Sequence, residues 1–400
     1  MAENQPANKN RMSSDLSIFA ARLRDFIGIA SEDSLYLEPS DDPALKSHFD
    51  IEFNGMAIVL FGRQYDRNAA YRKLCDARNI SPNSITHWTQ IPAMPTVAFK
   101  ELELTSLAPE ERVAVFHSSG TTGQRPSRHF HSRESLAIYE ASLWPWFHRQ
   151  VIPKLQVPGS KFQLAVLTPN ADQAPHSSLV HMFETVRRKL AADESVFLGN
   201  VADDGSWNLN FDRAVECLRN AAEKAEQVLL LGTAFSFIHL LDYLVEQNFR
   251  FALPAGSRAM ETGGYKGRSR ALPKSELHAL ITDRLGISAS DIICEYGMSE
   301  LSSQAYDAPT PGGEVRNPKS EIRTLHFPPW ARVQIVSPET GREVGEGETG
   351  LVRIFDLANV FSVMAIQTED LAIRRADGFE LIGRAIQAEP RGCSLMPGAA

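Results

Sequence analysis

Four short segments of this chain combine glycines, hydroxyls and charges in spacings that suit an anionic ligand. In HSSGTTGQRPSRHF, Ser118, Ser119, Gly120, Thr121, Thr122 and Gly123 follow an apolar run and precede a helix-forming stretch. Glycines let backbone N–H groups approach a ligand closely and hydroxyls add donors, so this loop suits phosphate oxygens. It is not a Walker loop, because the G-x-x-x-x-G-K-[ST] spacing is not met, and a plain polar turn is the alternative. EYGMSE sets Tyr296, Gly297, Ser299 and Glu300 directly after the apolar run DIIC. Ligands of open α/β sheets bind beyond the carboxyl ends of strands, so the two loops can meet there. Glu300 then offers the hard oxygen donors that magnesium takes, and Ser299 a hydroxyl for phosphate. Upstream, ETGGYKGRSR interleaves Gly263, Gly264 and Gly267 with Lys266, Arg268 and Arg270, which is either an anion cradle or a solvated turn. Downstream, TEDLAIRRADGFELIGR carries Asp370 and Arg384 on the two arms of a hairpin, where an acid can accept hydrogen bonds from ribose hydroxyls.

Positioning these segments takes a sizeable scaffold, and 400 residues suffice to bury one without disulfide staples. Ser14 is expected to cap a helix whose buried stripe is Leu16, Phe19, Leu23 and Phe26. Prolines 82, 92, 95 and 109 mark an irregular arm over residues 80–109. From residue 113 the β-rich runs VAVFH, LAVLT, VLLLGT and DIICEY alternate with helical segments such as 133–150 and 212–226, which predicts an α/β fold with a largely parallel, helix-covered sheet. From about 320 to 384, VQIV, LVRIF and FELIG between turn clusters predict a smaller β subdomain. The expected organisation is a helical and irregular segment over 1–110, an α/β nucleotide- and acyl-binding core over 111–318, the β subdomain over 319–384 and a tail over 385–400.

The 41 Lys+Arg against 49 Asp+Glu leave a net charge of −8, which supplies no basic field for a nucleic-acid backbone. The polar start MAENQPANKN lacks the apolar core of a secretory signal, and no long apolar window follows, so a cytoplasmic protein without a membrane span is expected. Cys75, Cys217, Cys294 and Cys393 are scattered, which argues against a zinc site or disulfide framework. Cys294 ends an apolar strand and reads as a buried packing residue. His129 and His131 alternate on one strand face, and His117 enters the glycine loop either as a ligand-orienting group or as a structural one.

In their order along the chain, the four segments resemble those of the adenylate-forming superfamily of acyl-CoA synthetases, luciferases and peptide-synthetase adenylation domains. SSGTTG resembles its phosphate loop, Gly263 and Gly264 its adenine-wall glycines, and YGMSE its aromatic-Gly-x-Thr/Ser-Glu motif. Asp370 resembles its ribose-binding aspartate, and Arg384 the arginine of its Gly-Arg. The arm WTQIPAMPTVAFKELEL, the run TGGYKGRSR and the closing RGCSL are similar to one branch, the LuxE-like acyl-protein synthetases. That resemblance implies the large N-terminal domain of the superfamily with a small β subdomain. It also implies that the usual mobile C-terminal domain is lacking, since sixteen residues follow Arg384.

The resemblance further implies ATP and Mg2+ as the requirements of an AMP-producing ligase acting on a carboxylic, fatty acid. Glu295 to Ser299, Met298 included, would contact the nucleotide, and Ser299, Lys266 and Arg268 would assist the chemistry. Cys393 would accept the acyl group as a thioester for delivery to a partner reductase or carrier protein. The chain departs from the superfamily in lacking the Pro-Lys after the glycine loop, leaving Arg125, Arg128 or Lys266 to supply that charge. The acyl channel is assigned to Trp144, His176, Ser178 and His181, although core packing explains the aromatics equally well. Rival readings are a ligase that passes the acyl group to an external amine, a carrier thiol or CoA, and a silent nucleotide-binding scaffold. A homo-oligomer is left open.

Overall fold

The computed structural model describes residues 6–32, 43–118, 125–152, 162–190, 195–263, 272–307, 323–376 and 378–384. It opens with helices α1 (Pro6–Glu32), α2 (Pro43–Arg67) and α3 (Ala69–Ala77). Leu16, Phe19, Leu23 and Phe26 are all buried along α1, as their spacing requires. The expected cap at Ser14 is corrected, because α1 already runs from Pro6 and Ser14 lies inside it. Proline is tolerated in the first helical turn, and the Ala, Lys, Arg and Met that follow favour helix over a stop. The proline-rich arm holds only β1 (Met94–Pro95) and the one-turn helix α4 (Ala98–Glu101) besides 3₁₀ turns. It is tied down by Tyr71, whose hydroxyl donates to the Pro92 carbonyl at 2.7 Å, and by Thr96 N–H, which donates to Gln367 O at 3.0 Å.

The body continues through β2 (Ala114–His117), β3 (Arg128–His131), α5 (Arg133–Val151), β4 (Phe162–Val166), α6 (Ser178–Leu190), β5 (Val196–Phe197), β6 (Gly199–Val201) and β7 (Trp207–Leu209). It then runs through α7 (Phe211–Lys224), β8 (Gln227–Thr233), α8 (Ala234–Glu246), β9 (Arg258–Thr262), α9 (Lys274–Leu285), β10 (Ile292–Tyr296) and β11 (Ala305–Tyr306). One sheet has the order β11-β10-β9-β8-β4-β5, parallel throughout except for β11 at its edge. Its central strand β8 is apolar on both faces because both are covered: Leu229 and Leu231 join one core, Val228 and Leu230 the other. VAVFH is not a member of that sheet, contrary to expectation. It forms β2, which pairs antiparallel with β3 in a separate two-stranded sheet, because its partner RHFH lies only a short loop away.

The β subdomain consists of β12 (Ala331–Val336), β13 (Thr349–Asp356), β14 (Ala365–Arg375) and β15 (Gly378–Arg384). These strands form an antiparallel meander in which the long β14 shares its outer edge between β1 and β15. Asp370 and Arg384 are directly paired positions of the β14–β15 hairpin. Among the described residues no helix is long and apolar enough to cross a membrane.

Candidate active site

The carboxyl ends of β9 and β10, the end of β2 and the start of β3, and the β14–β15 hairpin converge on one region. The first contact is between serines that flank the glycine-rich loop. Ser118 N–H donates to Ser127 Oγ at 3.3 Å and Ser127 N–H donates to Ser118 Oγ at 3.0 Å, closing the base of that loop. Ser127 Oγ lies 3.2 Å from Ser299 Oγ, and the Ser299 hydroxyl donates to Glu300 Oε2 at 2.9 Å. Since Ser299 spends its only proton on the carboxylate, Ser127 must donate to Ser299. A directed chain therefore runs from Ser118 N–H through two hydroxyls to Glu300. His129 of β3 adds a second tie, its Nδ1–H donating to the Ser299 carbonyl at 2.8 Å. Burial holds the His129 ring down to about 4, so it is neutral at physiological pH and donates from one nitrogen only.

Tyr296 connects the same turn to the β subdomain. Its hydroxyl donates to Asp370 Oδ2 at 2.8 Å, and its ring meets Phe379 edge-on with centroids 5.4 Å apart. Arg384 Nε stands 3.4 Å from Asp370 Oδ1 and is largely exposed, so this pair borders solvent. Asp356 and Asn359 hold the turn from beneath. The buried Asp356 carboxylate accepts from Ser302 N–H, Ser303 N–H, the Ser303 hydroxyl and Ala358 N–H, at 2.7 to 2.9 Å. Asn359 Nδ2 donates to the Glu300 carbonyl at 2.9 Å and its Oδ1 accepts the Ser302 hydroxyl at 2.7 Å.

The strand alternation sends Glu295 to the face opposite Tyr296. Although the sequence reading grouped it with the nucleotide contacts, its side chain is buried inside the α/β layer, where Thr262 Oγ1 donates to Oε2. A Cβ on Gly297 would meet Glu295 Oε1 at 2.3 Å, so a larger residue here would force the Glu295 carboxyl to move. Burial pushes the Glu295 carboxyl up to about 7 from its usual 4.5. Below about pH 4.5 the group is neutral folded or unfolded. Between 4.5 and 7 only the unfolded chain ionises, so stability falls, and above 7 the loss is complete. Glu295→Gln is therefore expected to stabilise the protein by up to about 3 kcal/mol at pH 8 and to change little at pH 4. Denaturant unfolding at both values checks this; an equal effect at the two pH values contradicts it.

The remaining sequence-assigned residues are spread out. Met298 packs against the main core. Trp144 also packs there, and its ring lies against His148 with centroids 5.3 Å apart. His176 stacks on His117 at 4.9 Å, and His117 N–H donates to the His176 carbonyl at 2.9 Å, which places this segment at the entry to the glycine loop. Burial, then the neighbouring His176, lowers the His117 ring from its usual range. Ser178 offers its carbonyl to the Tyr139 hydroxyl at 3.3 Å, and His181 Nε2 lies 3.3 Å from Glu140. Arg128 pairs with Glu103 at 3.5 Å. Gly263 directly follows β9 with a φ of 71°, a conformation that favours glycine. Ser119, Gly120, Thr121, Thr122, Gly123, Gly264, Lys266, Arg268 and Cys393 lie outside the described residues.

Sequence reasoning overlooked Ser127, Asp356 and Asn359, and also a buried cluster on the α9 side of β9 and β10. Cys294 donates to Glu261 Oε1 at 2.7 Å, and His278 Nε2 lies 3.4 Å from the same oxygen. The donor atoms of these three lie within 4.8 Å of one another. Lys274 already pairs with Glu261, and Arg323 stands 3.0 Å from Asp307 and 3.4 Å from the Cys294 sulfur. Two fixed cations around the donors oppose a metal dication. Burial holds the Cys294 thiol well above its ordinary range, which leaves it protonated and a poor nucleophile.

Residues 50–398 match the protein family described as "Acyl-protein synthetase, LuxE". The chain is 23% identical over 351 residues to a long-chain-fatty-acid–luciferin-component ligase of Aliivibrio fischeri, covering 83% of this chain and 84% of that protein. The ligase of the same name from Vibrio harveyi is 21% identical over 355 residues, covering 83% of each chain. Among solved structures, 2-hydroxyisobutyryl-CoA ligase in an open conformation with 2-HIB-AMP and CoA superposes with a TM-score of 0.60 at 12% identity, over 88% of this chain and 75% of that one. The fold is thus that of adenylate-forming enzymes.

Proposed function

The chain belongs to the LuxE acyl-protein synthetase family, and from that premise we propose that it joins a fatty acid to AMP at the converging turns and then passes the acyl group to its own Cys393. The observation that carries this reading is the hydrogen-bond chain from Ser118 through Ser127 and Ser299 to Glu300, which ties the residues flanking the glycine-hydroxyl segment to the acidic turn. A carboxylate is a poor acyl donor because its leaving group would be oxide. Attack of its oxygen on the α-phosphorus of ATP expels pyrophosphate and leaves an acyl-adenylate with a good leaving group. Donors fixed before the reaction stabilise the charge that gathers on the phosphate, since they need no rearrangement as it develops.

Glu300, a nearly buried carboxylate beside the Ser299 hydroxyl, has the hard oxygen chemistry that would hold Mg2+, which would supply further charge neutralisation at the phosphates. Asp370, already bonded by Tyr296, is assigned to the ribose hydroxyls through its remaining lone pairs. Asp370→Ala is expected to raise the KM for ATP roughly tenfold while leaving the KM for the acid unchanged. An unaltered ATP requirement in steady-state kinetics refutes the ribose assignment.

In the second step the Cys393 thiolate attacks the acyl carbonyl, the C–O bond to AMP breaks, and a thioester remains for transfer to a reductase. A thiolate suits this because a cysteine of ordinary pKa near 8.5 is already a few per cent ionised at neutral pH. The relatives' names support the fatty-acid class. Intact-protein mass measurement after incubation with ATP, Mg2+ and a panel of fatty acids tests the whole scheme. The expected result is a hydroxylamine-labile acyl adduct that disappears in Cys393→Ala. An adduct that survives in that variant, or acid-dependent AMP production with no adduct, moves the acyl group to another acceptor.

A further inference from the structure

The Cα of Glu300 joins two peptide planes, and each plane is rigid, so fixing both sets the direction in which the side chain leaves the backbone. The first plane carries the Ser299 carbonyl, which accepts from His129 Nδ1–H at 2.8 Å. A carbonyl only accepts, so the proton sits on that nitrogen, and burial keeps the ring neutral. The second plane carries the Glu300 carbonyl and the Leu301 N–H. The carbonyl accepts from Asn359 Nδ2 at 2.9 Å, and the N–H donates to the Met298 carbonyl at 3.1 Å. Both donors are held in turn. His129 is buried, and its ring lies against those of His131 and Phe99, with centroids 4.3 and 6.3 Å away. Asn359 is buried in the connection from β13 to β14, where its amide also donates to the Val363 carbonyl at 3.2 Å and its own carbonyl accepts from Gln64 Nε2 of α2 at 2.7 Å.

We propose that His129 and Asn359 are positioning residues that aim the Glu300 carboxylate, one from β3 and one from the β subdomain, by pinning the peptide planes on either side of its Cα. This rests on the role given to Glu300 under the adenylation reading and deepens it. Removing either donor strands a buried carbonyl, which the backbone relieves by turning that plane toward another partner. The carboxylate swings with the plane, and a displacement of about 1 Å at a reacting centre is enough to cost up to a hundredfold in rate. Ser127, two residues before His129, binds the Ser299 hydroxyl from the same segment, so β3 and its entry grip Ser299 by side chain and by backbone.

The test is acid-dependent exchange of labelled pyrophosphate into ATP with dodecanoic acid, measured for His129→Leu, His129→Asn and Asn359→Asp, each alone and combined with Glu300→Gln. An asparagine side chain carries an amide N–H close to where histidine carries Nδ1–H, whereas leucine carries none. His129→Leu is expected to lower kcat roughly tenfold or more while the KM for ATP changes less than about twofold, and His129→Asn to restore most of the rate. Asn359→Asp keeps the shape but turns an acceptor toward the Glu300 carbonyl; it should lose rate in the same way, which keeps the claim testable if the leucine variant does not fold. In the Glu300→Gln background each of these losses should shrink to less than about twofold, because both donors act through the carboxylate. A purely structural role would instead multiply with the Glu300→Gln loss. Such multiplication, or wild-type kcat in folded His129→Leu or Asn359→Asp protein, overturns the positioning role while leaving adenylation intact. No acid-dependent exchange by the wild-type protein, with ATP still bound, overturns the adenylation reading and the positioning role together.

Discussion

Asp356→Ala is expected to cost about 4 kcal/mol of stability or more, and to disable the site with it. The carboxylate accepts from three backbone N–H groups and one hydroxyl, all in the interior. Each donor stranded without a partner costs on the order of 1–3 kcal/mol, and a bond to an ionised acceptor sits at the upper part of that range. Burial alone would push this carboxyl above its ordinary range, and the bonds offset that only in part. Ser302 and Ser303 follow Glu300 by two and three residues, so releasing them frees the acidic turn from the β subdomain that also carries Asp370. Urea unfolding measures the first effect; a loss under about 1 kcal/mol would mean that the cluster is hydrated or differently arranged.

Glu300→Gln is expected to slow adenylation about a hundredfold or more with little change in folding. The amide keeps the shape and an oxygen that can accept the Ser299 hydroxyl, while the negative charge is gone. Loss of one group that acts on transition-state charge commonly costs 10²–10³ in rate. The rate should recover only weakly with added Mg2+, because an amide oxygen is a poorer ligand for a hard dication. Wild-type activity in this variant at limiting Mg2+ removes Glu300 from the catalytic scheme.

Those two residues also show where sequence reading succeeds and where it stops. Glu300 was visible because glycine, hydroxyl and acid cluster within one short turn after an apolar strand. The hairpin carrying Asp370 and Arg384 was visible for the same reason, since alternation and a tight turn are local signals. Asp356 was not, because apart from the neighbouring Ala358 N–H its partners Ser302 and Ser303 lie 54 and 53 residues away and nothing in the local sequence indicates them. Ser127 and Ser299 are 172 residues apart and meet only after β3 and β10 are placed by the fold. VAVFH reads like a strand of the parallel sheet because composition encodes a buried strand without naming its neighbour. That Glu295 and Tyr296 face opposite sides was derivable from β alternation, yet proximity along the chain suggested a shared ligand instead.

The central claim is that the loop based on Ser118 and Ser127 and the turn carrying Ser299 and Glu300 serve one nucleotide on which an organic acid is activated. Exchange of labelled pyrophosphate into ATP by the purified full-length protein tests it most directly, because the exchange requires the acyl-adenylate to form and reverse. The expected result is exchange that appears only when a fatty acid is added and that falls about a hundredfold in Glu300→Gln. Acid-independent exchange, or none with any such acid while ATP remains bound, would contradict it.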